Sequence, residues 1–135
     1  MASAIIGGLV KSGHAPDAVL VIDPGAAQRD KLHAEFGVRT LAAADATLAQ
    51  AALVVWAVKP QLFNAAAAPC AAFVGHALHL SVMAGIRSDA LVRATGTERI
   101  VRTMPNTPAL VGQGMTGLFA LVEVGVNPDL EAAIL

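Results

Sequence analysis

Leu53-Val54-Val55-Trp56-Ala57-Val58-Lys59-Pro60 is the stretch on which the fold turns. Six apolar residues in a row, without polar alternation, read as a strand covered on both faces. Lys59-Pro60 closes it, because proline has no N–H to continue a ladder and it fixes the loop that follows. The backbone of Ala57 to Lys59 then faces whatever lies beyond the strand tip.

Similar punctuation recurs outward from this segment. Val19-Leu20-Val21-Ile22 is a second continuous apolar run, stopped by Asp23-Pro24. Ala26 to Phe36 carries good helix formers with Arg29, Asp30, Lys31 and Glu35, and Gly37 stops it. Val38 to Leu41 reads as a short strand, and Asp45 or Thr47 opens a brief helix to Ala52. Gln61 to Phe73 is Ala-rich and helical, with an interruption expected at Pro69. Leu78 to Met83 is strand-like and ends at Ala84-Gly85. Ser88 is the expected N-cap of a helix from Asp89 to Thr95, with Gly96 after it. Ile100 to Met104 is a further strand, followed by Pro105-Asn106-Thr107-Pro108. Met115 to Val122 is a candidate last strand, and a helix is expected to begin at Asp129 and run to Leu135.

Strands alternating with helices of this length predict an α/β protein with a parallel sheet and crossover helices. In open parallel sheets a ligand lies beyond the carboxyl ends of the strands. The residues just after the strands are Asp23-Pro24, Lys59-Pro60, Ala84-Gly85 and Pro105-Asn106, and these corners are expected to meet at one crevice.

Composition narrows the options. The chain has 135 residues, 56% apolar and 14% charged, with a formal net charge of -1. The usual figures are about 45–50% apolar and about 25% charged, so disorder is excluded and apolar surface beyond an ordinary domain's is indicated. Near-neutral charge argues against nucleic acid as a partner. Aromatic residues are 4%, with no tyrosine, so the base-stacking platforms of single-strand binders are missing as well. No apolar run reaches the ~18–20 residues that span a bilayer, so no membrane partner is expected. Cys70 is the single cysteine, which permits no internal disulfide and agrees with a reducing cytoplasm. His14, His33, His76 and His79 show no metal-ligand spacing. His76 and His79, three apart beside a strand, are expected to point to opposite faces.

Individual corners carry more than one reading. The opening Met1-Ala2-Ser3-Ala4 suits either an ordinary N-terminal helix or one whose first-turn amides attract a phosphate. Asp23 suits a plain Asp-Pro-Gly turn, or an acceptor for adenosine ribose hydroxyls that leans toward NADH. Arg29, a helical turn on, keeps a 2′-phosphate and thus NADPH open. Two prolines bracketing Asn106 and Thr107 make a rigid loop suited to presenting those side chains. No Ser-His-Asp, Cys-His or paired-carboxylate arrangement is found. A hydride-transfer enzyme needs none, since its cofactor carries the chemistry.

Four segments, in order and separation, resemble pyrroline-5-carboxylate reductase: Met1 to Leu9 (MASAIIGGL), Ala57 to Gln61 (AVKPQ), Ser81 to Gly85 (SVMAG) and Arg102 to Gly112 (RTMPNTPALVG). The last is highly specific, and the resemblance covers essentially the whole chain. It implies a Rossmann-like, doubly wound, mostly parallel sheet, truncated at both ends. It also implies reduction of the C=N bond of 1-pyrroline-5-carboxylate to L-proline with NADPH or NADH, in the cytoplasm. Residues 1–125 would be an incomplete NAD(P)-binding domain, and 126–135 the start of a connection to a helical dimerisation domain. A homo-oligomer is expected only for the full-length protein.

By this resemblance Met1 and Ala2 lie at the cofactor pyrophosphate and Asp23-Pro24 at the adenosine ribose. Ala57, Val58, Lys59 and Pro60 line the nicotinamide-side ribose and phosphate. Val82, Met83, Ala84, Asn106, Thr107 and Pro108 face the nicotinamide ring. No catalytic residue is assigned. The family carries a strand and a Gly-x-Gly-Asn turn ahead of the position of Met1, and an Asn where this chain has Ala42-Ala43-Ala44-Asp45. Without that central strand, several hundred Å² of burial, on the order of 10 kcal/mol at ~25 cal/mol per Å², would be lost. The 135 residues alone are therefore expected to fold poorly and not to turn over substrate. The alternatives are a non-catalytic dinucleotide-binding fragment and a related reductase of another imine or a β-hydroxyacid.

Overall fold

The computed structural model describes residues 1–104 and the backbone of residue 105 and of residues 116–120. The expected loop at 106–108 and the expected helix at 129–135 lie outside the described residues. The chain forms two compact units that divide between Ala44 and Asp45.

The first unit opens with α1 (Ala2–Lys11), followed by β1 (Leu20–Ile22), α2 (Ala26–Phe36) and β2 (Arg39–Leu41). β1 and β2 pair in parallel, with Val21 opposite Thr40. α2 ends where the sequence predicts. Gly37 sits at φ +71°, a backbone shape that L side chains resist, and its N–H closes on the His33 carbonyl at 2.8 Å. The core is Ile6 of α1, Leu32 of α2 and Val38, flanked by Val10, Val19, Val21 and Phe36. Gly7 lets the two helices approach: a Cβ there would stand 3.2 Å from the Phe36 ring.

The second unit contains β3 (Leu53–Trp56), α3 (Phe63–Ala67), α4 (Ala71–Val74), β4 (Leu78–Ser81), α5 (Ser88–Thr95), β5 (Ile100–Pro105) and β6 (Thr116–Ala120). A 3-10 turn over Ala46–Gln50 precedes β3, and Asp45 caps it by accepting from the Thr47 amide at 2.8 Å. The strand order is β3-β4-β5-β6. The first three are parallel and β6 runs antiparallel to β5. Helices linking parallel strands in both units give the expected α/β, Rossmann-like, mostly parallel architecture. β4 lies between β3 and β5, and all four of its residues are buried.

Several boundaries differ from the sequence expectation: β1 and β2 start one residue later, and β5 runs to Pro105, which the sequence places just after the strand. β3 ends at Trp56 and not at Val58, because the last rung is Val82 N–H to the Trp56 carbonyl, at 3.2 Å. β4 ends at Ser81 and not at Met83, since the chain turns at Gly85, φ +76°. Ser88 is the first helical residue and not the cap. The first carbonyl to accept from the α5 amides belongs to Arg87, whose own backbone is extended. The interruption at Pro69 is present: it separates α3 from α4.

Candidate functional site

In the first unit, α1 begins at Ala2, and Met1, which is exposed, precedes it as the cap residue with no side-chain hydrogen bond. Of the first-turn amides, that of Ala4 donates to the Met1 carbonyl at 3.1 Å, those of Ala2 and Ser3 precede the first helical acceptor, and the side chains around them are small: Ala2, Ser3, Ala4. After β1, the turn at Asp23-Pro24-Gly25 is tightly organised. The Asp23 Oδ1 accepts from the Gly25 amide at 2.7 Å, and its amide donates to the Leu41 carbonyl at 3.1 Å. The Arg29 guanidinium donates to the Asp23 carbonyl at 2.7 Å. The side-chain-to-backbone turn that Asp-Pro-Gly suggests is therefore formed, and Arg29 braces it.

In the second unit, the parallel register of β3, β4 and β5 sets their carboxyl ends side by side, with Trp56 opposite Ser81 and Ser81 opposite Arg102. Two of the expected corners, Lys59-Pro60 and Ala84-Gly85, thus lie at one end of the sheet, while of the third, Pro105-Asn106, Pro105 belongs to β5 and Asn106 lies outside the described residues. Ala57 and Val58 are half-buried, Lys59 and Pro60 exposed. Pro60 begins a 3-10 turn over Pro60–Leu62, closed by the Leu62 amide on the Lys59 carbonyl at 2.9 Å. After β4, Met83 is buried and its amide donates to the Ser81 hydroxyl at 3.3 Å. Thr103 Oγ1 donates to the Ser81 carbonyl at 3.3 Å, tying β5 to this corner. What Val82, Met83 and Ala84 offer a ligand is mainly backbone and the small, exposed Ala84. Asn106, Thr107 and Pro108 lie outside the described residues.

Behind this end of the sheet lies a cluster that the motifs did not indicate. His79 is fully buried on β4. Trp56 Nε1 donates to its Nδ1 at 3.0 Å, and the two ring planes are nearly parallel, 12° apart, with centroids separated by 6.0 Å. Trp56 also meets Phe63 edge to face, with centroids 5.3 Å apart. Indole N–H only donates, so Nδ1 must be unprotonated. The proton is then on Nε2, which donates to the Val74 carbonyl at 2.9 Å. Burial pushes the His79 pKa down, so the neutral ring is the resident form. The available signal was the pairing of a polar His79 with an otherwise apolar run in Leu78–Ser81.

Elsewhere, Cys70 is buried and its thiol donates to the Ala66 carbonyl at 3.3 Å, and burial pushes the thiol pKa up. Among the described residues no group of His, Cys, Asp or Glu could hold a metal ion. Among them, too, no helix is long and apolar enough to cross a membrane.

Comparison with known proteins adds the family. Residues 1–85 match the model for NADP oxidoreductase, coenzyme F420-dependent. A pyrroline-5-carboxylate reductase of Pseudomonas aeruginosa is 40% identical over 126 residues, 92% of this chain and 46% of that protein. One from Pasteurella multocida is 42% identical over 126 residues, 89% of this chain and 46% of its own length. A solved pyrroline-5-carboxylate reductase from Coxiella burnetii superimposes with a TM-score of 0.83 at 30% identity, over 96% of this chain and 48% of that one. The Plasmodium falciparum pyrroline carboxylate reductase with NADP bound shares the fold, with a TM-score of 0.73 at 21% identity over 96% of this chain and 47% of that one. The chain spans about half the length of the curated relatives it matches.

Proposed function

The chain belongs to the NADP oxidoreductase, coenzyme F420-dependent, family, and from that premise we propose that it is the cofactor-binding half of a pyrroline-5-carboxylate reductase. The observation that carries this reading is the identity of 40–42% over about nine-tenths of the chain. The activity proposed for the whole protein is reduction of the C=N bond of 1-pyrroline-5-carboxylate to L-proline in the cytoplasm. Residues 1–125 supply the dinucleotide domain and 126–135 lead toward a helical dimerisation domain.

The residues present suit NADPH or NADH. The first turn of α1, with no side-chain cap and framed by small side chains, presents the Ala2 and Ser3 amides to a pyrophosphate. Open space where a Gly85 side chain would stand, and the small Ala84 beside it, leave backbone accessible at the β4 tip. In this reading Met1 and Ala2 take the pyrophosphate and Asp23-Pro24 the adenosine ribose. Ala57 to Pro60 hold the nicotinamide-side ribose, while Val82 to Ala84 and Asn106 to Pro108 line the nicotinamide. The bound cofactor supplies a hydride to the imine carbon. This chain's part is to bind and orient, through backbone groups on rigid strand tips rather than through a titrating acid or base.

The test is genetic. The complete reading frame containing these 135 residues is placed in a proline-requiring bacterium lacking its own reductase. Growth without proline, and substrate-dependent loss of dihydronicotinamide absorbance in the purified protein, are expected. Cofactor binding without either would leave a non-catalytic dinucleotide-binding protein. Reduction of a different imine or of a β-hydroxyacid's ketone would reassign the substrate.

A further inference from the structure

The loop between β3 and α3 has little of its own to hold it. Lys59 to Leu62 are all exposed, and Leu62 is 54% accessible despite being apolar. One backbone bond, Leu62 to Lys59, spans it. Its course is fixed mainly by its two ends, and both ends are aromatic: Trp56 closes β3 and Phe63 opens α3. Their edge-to-face contact draws the ends together.

Trp56 is itself held from behind. Its indole N–H has His79 Nδ1 as acceptor, and His79 is locked in that tautomer by the Val74 carbonyl at the end of α4. The Trp56 carbonyl receives Val82 N–H, so the same residue also registers the Val82–Gly85 corner. A leucine or valine would fill the space at 79 on a buried central strand more simply than histidine. Histidine offers what they lack, an acceptor for the indole on one side and a donor to the helix end on the other.

We propose that His79 is a positioning residue for the loop 57–62: anchored on Val74, it fixes Trp56, and Trp56 with Phe63 sets the loop's path. This rests on the reading of Ala57 to Pro60 as a cofactor segment, and it names what holds that segment in shape. His79 touches neither cofactor nor substrate in this account.

The test uses the protein of the complete reading frame containing these 135 residues, and two readouts. In His79→Leu, the indole N–H and the Val74 carbonyl lose their partner. Amide hydrogen exchange in 57–62 is expected to rise about tenfold, with Ile100 to Thr103 still protected. NADPH affinity is expected to fall about tenfold, 1.4 kcal/mol. His79→Asn restores an acceptor near the Nδ1 position and should recover loop protection to within about threefold of the parent. Equal exchange increases in every segment would overturn the proposal, because they mark a general loss of stability. So would unchanged loop exchange, or a His79→Asn variant no better than His79→Leu. If His79→Leu does not fold, Trp56→Phe, which keeps an aromatic edge for Phe63 but drops the donor, must loosen the loop or the proposal fails. If the parent binds NADPH and His79→Leu binds it equally well, positioning is refuted and the cofactor reading stands. If the parent binds neither NADPH nor NADH, the cofactor reading fails, and loop exchange still decides what His79 does.

Discussion

β1 and β4 are both short apolar runs in parallel sheets, and they end up in opposite circumstances. β4 has β3 on one edge and β5 on the other, and Leu78, His79, Leu80 and Ser81 are all buried. β1 pairs with β2 alone among the described residues, and Leu20, Val21 and Ile22 are each only half-buried. β3, the outer strand of the second sheet, shows the same mark: Leu53, Val54 and Val55 are half-buried, and only Trp56 is fully covered. Burial therefore follows neighbours more than side-chain hydrophobicity. A strand paired on both sides under helices can bury even a histidine and a serine, provided their hydrogen bonds are met. A strand paired on one side leaves valine and isoleucine partly wet.

The largest test of that contrast is a pair of truncations. Leu80→Ala removes a side chain 2% accessible, and a loss of about 3 kcal/mol in chemical denaturation is expected. Val21→Ala, from half-buried β1, should cost about 1 kcal/mol or less. Equal costs would mean that β1 is as well covered as β4.

Acid should also tell the two regions apart. The His79 pKa is lowered by burial from its ordinary 6.5, so the unfolded chain takes up a proton before the native one does. Stability from this group is then complete above pH 6.5 and is lost as pH falls from there toward the lowered native value. The protection factors of the β4 amides, that is their exchange relative to the intrinsic rate at each pH, should fall over that window through this group. His79→Leu should flatten the response; an unchanged acid slope in the variant would assign it to other groups.

A smaller pair of substitutions should show where the units are alike. Gly37 ends α2 at φ +71° and Gly96 ends α5 at φ +73°. Gly37→Ala and Gly96→Ala should each cost about 1–2 kcal/mol, nearly equally, in thermal unfolding. Unequal costs would show that one helix end relaxes. Least of all, Gly8→Ala, mid-helix with open space around its Cβ, should stabilise by up to ~1 kcal/mol. A loss there would mean that something packs on that face of α1.

The sequence alone determined the order and kind of elements. Pro60 and Pro69, Gly37 and Gly96, and the uninterrupted apolar runs act through local backbone chemistry, which needs no knowledge of distant residues. It also located the strand tips to within two residues, and so which segments to suspect. It misplaced the ends of β3 and β4 by two residues, because a strand stops where its neighbour's ladder stops, and the neighbour is remote in sequence. Only the tertiary structure decided that Arg29 braces the Asp23 carbonyl, that Met83 points into the core, and that His79 joins Trp56 to Val74. Those are pairings across helices and strands, fixed by register and by the need to satisfy every buried donor and acceptor, and a linear pattern carries neither.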